Sequence, residues 1–316
     1  MSRVNSRLAF LFPGQGSQTV GMLRELAEQN PIVLSVYAEA SEVLGHDLWE
    51  LVSQGPEERL NATQFTQPAM LAAGVAAWRV WCGQTDVRPG WLAGHSLGEY
   101  TALVCAESLD FRDAIRLVAE RARLMQAAVP ADVGAMAAIL GLEDAQVVSV
   151  CEQAGSGNQV VTAANFNAPG QVVIAGHREA VERATAVAKE AGAKRAILLP
   201  VSVPSHCPLM KDAADQFRQS LEALPLQTPV IPVIHNVDVA AHADAAAIRL
   251  ALYAQLHGSV RWAETIDYLT RQGVDSFVEC GPGRVLAGLN KRNAPGARTE
   301  CLFDPVSLDK AKGLAA

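Results

Sequence analysis

Short apolar runs alternate along the chain with segments whose apolar residues recur every three or four positions. The runs are typical of buried strands, and the longer period is typical of amphipathic helices. Clear pairs are "RLAFLF" before "TVGMLRELAEQ", "GWLAG" before "EYTALVCAESL" and "DSFVECG" before "RVLAGLNKR". This alternation predicts an α/β protein with a mostly parallel sheet and helices on both of its faces.

Glycine-rich turns follow the three strands of these pairs, at positions 14–16, 94–98 and 281–283. In sheets of parallel strands the ligand crevice lies outside the carboxyl ends of the strands. We therefore expect the three turns to meet around one site.

The segment 131–204 has a different pattern. It reads strand, helix, strand, strand, helix, strand, in the runs "GAMAAILG", "LEDAQVVSVCEQAG", "QVVTAANF", "QVVIAG", "REAVERATAVAKEAG" and "KRAILLPVS". This is the ferredoxin-like (βαββαβ) order. The sequence therefore predicts a small ferredoxin-like subdomain at 131–204, inserted into a larger catalytic subdomain built from 1–130 and 205–316.

Composition narrows the class of protein. Half of the 316 residues are hydrophobic, which suits a compact globular fold. The 26 basic and 33 acidic residues give a net charge of −7 without a long run of Lys or Arg. We therefore expect neither nucleic acid nor a membrane as a partner, and no apolar run reaches the roughly 18 residues of a spanning helix.

The cysteines and the N-terminal segment bear on location. Six cysteines lie far apart without a C-x-x-C pair, so we expect no metal site and no disulfide framework. The apolar run before Pro13 has only five residues, which is short for a signal peptide and suits a strand. Both features favour reduced thiols and a cytoplasmic location.

Ser96 is the first candidate for chemistry. It lies in "GHSLG", where flanking glycines permit a sharp turn between a strand and a helix that exposes the serine hydroxyl. The motif favours a nucleophile. The alternative is that Ser96 caps the helix together with Glu99, because S-x-x-E is also a capping box.

A nucleophilic serine needs a base, and His206 is the best candidate among seven histidines. His95 is adjacent to the serine, but successive residues of an extended chain point to opposite sides. His206 follows the last strand of the insertion and should face the cleft between the subdomains; a surface loop histidine is the alternative. A triad acid is not evident, and the formal candidates are Asp132, Asp144, Asp212 and Asp238.

Acyl transfer also needs donors for an oxyanion, commonly backbone N–H groups at a turn. The turn "FPGQGSQTVGM" lacks the third glycine of a dinucleotide loop and the G-K-[ST] of a nucleoside triphosphate loop. The backbone amides of Gln15 and Leu97 are the predicted donors.

Arg121 occupies an unusual position in the helix "FRDAIRLVAERARLMQAA", at the border of its apolar stripe. A half-buried arginine needs an anionic partner. That partner is either a protein carboxylate in a structural salt bridge or the carboxylate of a substrate.

Six motifs together resemble one family. They are "LFPGQGSQ", "QPAMLAAG", "GHSLGEY", "RARLMQ", "VPSHCPLM" and "VECGPGRVLAGL", in this order up to about residue 292. In this respect the sequence resembles the malonyl-CoA:acyl carrier protein transacylases of fatty-acid synthesis. The resemblance implies an α/β-hydrolase-like core with an inserted ferredoxin-like subdomain.

The resemblance also implies a reaction. Ser96 would take malonyl from malonyl-CoA as an ester and pass it to the phosphopantetheine thiol of acyl carrier protein, with His206 as base and then acid. The backbone carbonyl of the residue matching Gln255 would orient the histidine in place of an acid. No cofactor is expected beyond the two thioester substrates.

The remaining roles follow from the same resemblance. The amides of Gln15 and Leu97 would form the oxyanion hole, and Arg121 would bind the free carboxylate of malonyl. Alternatives are a serine esterase or thioesterase with water as acceptor, and a non-catalytic scaffold that binds carrier protein. A basic patch of Arg284, Lys291 and Arg292 could meet an acidic carrier, or could be an ordinary solvated face.

Overall fold

The structure, a computed structural model, describes residues 3–130, 132–201 and 203–315 and contains two separate β-sheets. The strands are β1 (Arg3–Phe12), β2 (Val87–Gly94), β3 (Gly134–Leu140), β4 (Val161–Ala168), β5 (Gln171–His177), β6 (Arg195–Leu198), β7 (Val233–Ile234), β8 (Ser276–Cys280) and β9 (Arg298–Leu302).

The helices cover both faces of the larger sheet and one face of the smaller sheet. They are α1 (Arg24–Gln29), α2 (Ile32–Leu44), α3 (Leu48–Gln54), α4 (Glu57–Leu60), α5 (Thr63–Gln84), α6 (Leu97–Cys105), α7 (Phe111–Ala127), α8 (Asp144–Ala154), α9 (Arg178–Glu190), α10 (Lys211–Glu222), α11 (Ala245–His257), α12 (Trp262–Arg271), α13 (Val285–Asn293) and α14 (Pro305–Ala315), with a short 3-10 helix at Pro208–Met210.

The larger sheet is parallel, with the strand order β7-β2-β1-β8-β9. Successive side chains of β1 point to opposite faces of the sheet and pack into two different hydrophobic clusters. Phe10 packs edge-on against Trp78 and Trp81 of α5, at ring-centroid distances of 5.4 and 4.9 Å, whereas Leu11 lies in the opposite cluster with residues of α12 and α13. Both faces are covered, as a parallel sheet requires, and the predicted α/β class is confirmed.

The smaller sheet is antiparallel, with the order β4-β5-β3-β6. Helices α8 and α9 cover one face and bury residues such as Ile139 and Ile174 with it. The opposite face, which includes Met136 and Val173, is turned toward the larger subdomain. The ferredoxin-like insertion is therefore confirmed, while its boundaries at 131 and 204 stay a prediction; residue 131 lies outside the described residues.

Two elements differ from the sequence-based expectation. The helix predicted over 19–29 begins only at Arg24, because Gly21 and Leu23 have positive φ angles of 86° and 61°. The segment after 292, for which no element was predicted, forms β9 and α14. Strand β9 completes one edge of the parallel sheet by pairing with β8.

Within the described ranges, no helix combines the length and the apolar character needed to cross a bilayer.

Candidate active site

Ser96 lies on the sharp turn between β2 and α6. Its φ of 50° and ψ of −104° are uncommon for a residue with a side chain. Both flanking glycines are required sterically: a Cβ on Gly94 would lie 1.9 Å from the carbonyl of Gly98, and a Cβ on Gly98 would lie 2.0 Å from the carbonyl oxygen of Phe12. The turn therefore holds the serine in one strained geometry, as a nucleophile elbow does.

The three glycine-rich turns meet, as predicted. A Cβ on Gly14 would lie 2.5 Å from the carbonyl oxygen of His95, and one on Gly281 would lie 3.2 Å from Pro13. A cleft of about 230 Å³ opens at this point between the two sheets. The small subdomain contributes polar and apolar side chains to its wall, among them Met136, Asn165, Asn167 and Val173.

His206 forms a hydrogen-bonded chain with Ser96 and Gln255. Its Nε2 lies 2.7 Å from Ser96 Oγ, and its Nδ1 lies 2.7 Å from the backbone carbonyl oxygen of Gln255. The residue is 4% exposed, so the alternative of a surface loop histidine is wrong. The capping interpretation of Ser96 is also wrong, because its side chain makes no capping bond.

The protonation state of His206 follows from its surroundings. Burial, and then the positive charge of Arg121, lower its pKa to about 3, while the hydrogen bond to the Gln255 carbonyl opposes them. The ring is therefore neutral at pH 7. With the Nδ1 proton donated to the carbonyl, Nε2 is free to accept a proton from Ser96.

None of the formal aspartate candidates binds His206. Asp132 pairs with Arg178 and Asp238 pairs with His242. The Gln255 carbonyl occupies the position that a triad acid would take. Within the described ranges, His, Cys, Asp and Glu side chains form no group of three that could hold a metal ion.

Arg121 is wholly buried, at 1% exposure, rather than half-buried as its place in the helix predicts. Its guanidinium donates to Gln67 Oε1 at 2.9 Å, Gln255 Oε1 at 3.0 Å and Ser96 Oγ at 3.1 Å. Among the described residues no carboxylate lies within 4.0 Å of it, so the structural salt bridge is not formed. Its buried Nε has no hydrogen-bond partner among the residues that the structure describes. A buried cation among neutral acceptors can bind an anion.

Gln15 and Leu97 both line the cleft. Gln15 follows β1, and its side chain donates to Thr63 Oγ1 at 3.3 Å. Leu97 is the first residue of α6, directly after Ser96. The two backbone amides are thus carried by neighbouring turns at the carboxyl ends of adjacent strands.

His95 points away from the serine hydroxyl, as predicted. Its Nε2 lies 2.8 Å from Asn167 Oδ1, and its ring packs against Trp262 at 5.4 Å. Burial lowers its pKa. His95 therefore links the turn to the small subdomain.

Sequence reasoning missed a buried polar group beneath Ser96. The Glu99 carboxylate is fully buried and contacts His235, Asn236 and Gln255. The sequence assigned Glu99 only to a capping box. The signal that was available is that Glu99 is the one charged residue of α6, "LGEYTALVC", a helix whose other residues are mostly apolar.

Comparison with known proteins agrees with this geometry. The acyl transferase domain family matches residues 9–294, and the chain belongs to this family. Within it, the chain groups with the malonyl CoA-acyl carrier protein transacylases. It is 54% identical to the one from Salmonella typhimurium over 306 residues, which is 97% of this chain and 99% of the relative. It is 43% identical to the one from Bacillus subtilis, over 97% and 96% of the two chains.

The solved structures that this chain resembles are also malonyltransferases. An acyl carrier protein S-malonyltransferase from Vibrio cholerae superposes with a TM-score of 0.95 at 56% identity, covering 96% of this chain and 99% of that one. A malonyl-transacylase solved in complex with a type II PKS acyl-carrier protein superposes with a TM-score of 0.95 at 54% identity, over 97% and 99% of the chains.

Proposed function

We propose that this protein transfers the malonyl group of malonyl-CoA to the phosphopantetheine thiol of acyl carrier protein, through an ester on Ser96, in cytoplasmic fatty-acid synthesis. The observation that carries the proposal is the buried Arg121 guanidinium, 3.1 Å from Ser96 Oγ. The names of the relatives support the donor and the acceptor. Six free cysteines, of which five are buried, agree with a reducing compartment.

In the first half-reaction Ser96 Oγ attacks the thioester carbonyl while His206 Nε2 takes its proton. The carbonyl oxygen becomes an oxyanion and accepts hydrogen bonds from the backbone N–H groups of Gln15 and Leu97. Collapse of this intermediate breaks the carbon–sulfur bond. The imidazolium returns its proton to the departing coenzyme A thiolate, which leaves malonyl-Ser96.

The second half-reaction reverses these roles. His206 takes the proton of the carrier thiol as its sulfur attacks the ester carbonyl. The carbon–oxygen bond breaks, and Ser96 Oγ recovers the proton from the imidazolium. The Gln255 carbonyl holds the ring in the required tautomer throughout.

Arg121 accounts for the choice of acyl group. A guanidinium binds a carboxylate through two parallel hydrogen bonds, and the free carboxylate of malonyl can reach it from an ester on the adjacent serine. Acetyl has no such group and would leave the buried cation without an anion. The enzyme therefore selects malonyl over acetyl by the charge of the malonyl carboxylate.

The carrier and coenzyme A would enter along the wall formed by α13. Val285, Leu286 and Leu289 of this helix line the cleft, and Lys291 and Arg292 lie in its last turn. Apolar residues suit the pantetheine arm, and the basic residues suit phosphate groups or an acidic carrier.

The test measures two products from malonyl-CoA, malonyl-carrier and free malonate, with and without phosphopantetheinylated carrier. We expect malonyl-carrier as the main product, and none with Ser96→Ala. Equal malonate release with and without carrier would identify a hydrolase instead. Carrier binding without turnover would identify a scaffold.

A further inference from the structure

The Glu99 carboxylate lies fully buried beneath the turn that carries Ser96. Oε1 is 2.7 Å from His235 Nδ1, and Oε2 accepts the backbone N–H of Asn236 and the Nε2 of Gln255, each at 2.9 Å. Three donors from two distant segments of the chain thus converge on one carboxylate.

Two of these partners in turn hold the backbone of Ser96. The Asn236 side chain accepts the Ser96 N–H at 2.7 Å and donates to the carbonyl of Gly94 at 2.8 Å. The Gln255 side chain donates to the carbonyl of Ser96 at 3.0 Å. Glu99 therefore fixes Asn236 and Gln255, whose side chains form hydrogen bonds with the backbone of the strained turn.

Gln255 extends the same connection to the other reactive groups. Its backbone carbonyl binds His206, and its Oε1 accepts from Arg121 at 3.0 Å. A carboxylate only accepts hydrogen bonds, so Glu99 forces the Gln255 amide to present its NH₂ downward and its oxygen toward the guanidinium. The aligned amide links the buried Glu99 carboxyl group to the buried Arg121 guanidinium.

We propose that Glu99 is a positioning residue for acyl transfer, which through Gln255 and Asn236 fixes Ser96, His206 and Arg121 in one geometry. This proposal rests on the proposed function in one respect: it requires that Ser96 and His206 are the reacting pair. The competing explanation is that the buried contact between Glu99 and His235 serves stability alone.

The test uses a serine-directed fluorophosphonate, whose reaction with Ser96 needs neither malonyl nor carrier. The variants are Glu99→Gln, and Glu99→Asp, which keeps the charge but shortens the reach. The matched control is Glu279→Gln, because Glu279 is also fully buried but binds the backbone N–H groups of Leu286 and Ala287. Thermal unfolding is measured for every variant.

We expect both Glu99 variants to react roughly 100-fold more slowly, as a misplaced catalytic pair does, and the control to react at the wild-type rate. In malonyl transfer the loss should fall on kcat more than on KM. We also expect non-additivity: in a Gln255→Met background, which keeps the backbone carbonyl, Glu99→Gln should cost much less than it does alone.

Three results would overturn this proposal: Glu99 variants that react at the wild-type rate, a Glu279→Gln loss of the same size, or strict additivity with Gln255→Met. If Glu99→Gln does not fold, the rate of Glu99→Asp decides. A wild-type protein that does not react would overturn the proposed function itself, which separates the two failures.

Discussion

His206 combines two features that a catalytic base needs, a neutral ring and a fixed tautomer. Burial and the neighbouring Arg121 keep its pKa at about 3, so the ring stays unprotonated across the neutral range. The Gln255 carbonyl holds the Nδ1 proton. The base strength lost by lowering the pKa is offset by the 2.7 Å contact with Ser96, which makes proton transfer direct.

The first prediction concerns the proposed role of His206 as the general base. His206→Ala should slow esterification of Ser96 by about 10²- to 10⁴-fold, the usual contribution of a general base. Rapid-quench kinetics with malonyl-CoA measures it. His46→Ala is the control, since His46 packs against Phe65 away from the cleft lining. Similar rates for the two variants would remove His206 from the mechanism.

The second prediction concerns Arg121. Arg121→Met should lower the ratio of kcat/KM for malonyl-CoA to that for acetyl-CoA by roughly 10- to 150-fold, because hydrogen bonds to a charged group contribute about 1.5–3 kcal/mol. Arg123→Met is the matched control on the same helix, since Arg123 is exposed and pairs with Glu120. An unchanged ratio would mean that a group other than Arg121 recognises the free carboxylate of malonyl.

At the scale of elements, the strand-to-helix turn depends on close approach of backbones. Gly98→Ala should destabilise the fold by about 3 kcal/mol, because the new Cβ would lie 2.0 Å from the Phe12 carbonyl oxygen, which accepts the His95 N–H. Gly83→Ala, in an open helical position, should instead be neutral or stabilising by up to about 1 kcal/mol. Urea unfolding compares them, and equal stabilities would contradict the packing described.

Helix α13 begins above the buried Glu279 carboxyl group. Titration of this group makes the free energy of unfolding of the protein depend on pH. Burial raises the pKa of Glu279 from 4.5 to about 7, although backbone N–H groups at the helix N-terminus oppose the shift. The folded state therefore binds a proton more tightly than the unfolded state. This stabilisation is complete below pH 4.5 and is lost as pH rises through 7.

The resulting prediction is that Glu279→Gln flattens the pH profile of stability. Its free energy of unfolding should fall less between pH 5 and pH 8 than that of the wild type, by up to about 3 kcal/mol. Denaturant titrations at both pH values measure the difference. Parallel profiles would show that Glu279 titrates normally in the folded state.

The sequence predicts elements well where their pattern is local. The alternation of strands and helices, the βαββαβ order of the insertion and the turn around Ser96 all follow from periodicity and glycine placement. The helix over 19–29 begins late because two positive φ angles interrupt it. The pairing of β9 with β8 depends on a neighbouring strand, which no local pattern reveals.

At the scale of the whole molecule, the site depends on contacts between distant segments. Gln255 lies 156 residues from Glu99 and 49 from His206. Ser96 and His206 could be selected one by one from their motifs. The burial of Arg121 and the network around Glu99 could not, because both depend on how α6, α7 and α11 pack together.

The central claim is that malonyl resides on Ser96 between the two thiols. Intact-protein mass spectrometry after brief mixing with malonyl-CoA, followed by phosphopantetheinylated carrier protein, tests it most directly. We predict one malonyl group on Ser96, none on Ser96→Ala, little acetyl from acetyl-CoA, and transfer of the adduct to the carrier. Absence of an adduct, or its loss to water at the same rate with and without carrier, would contradict the account.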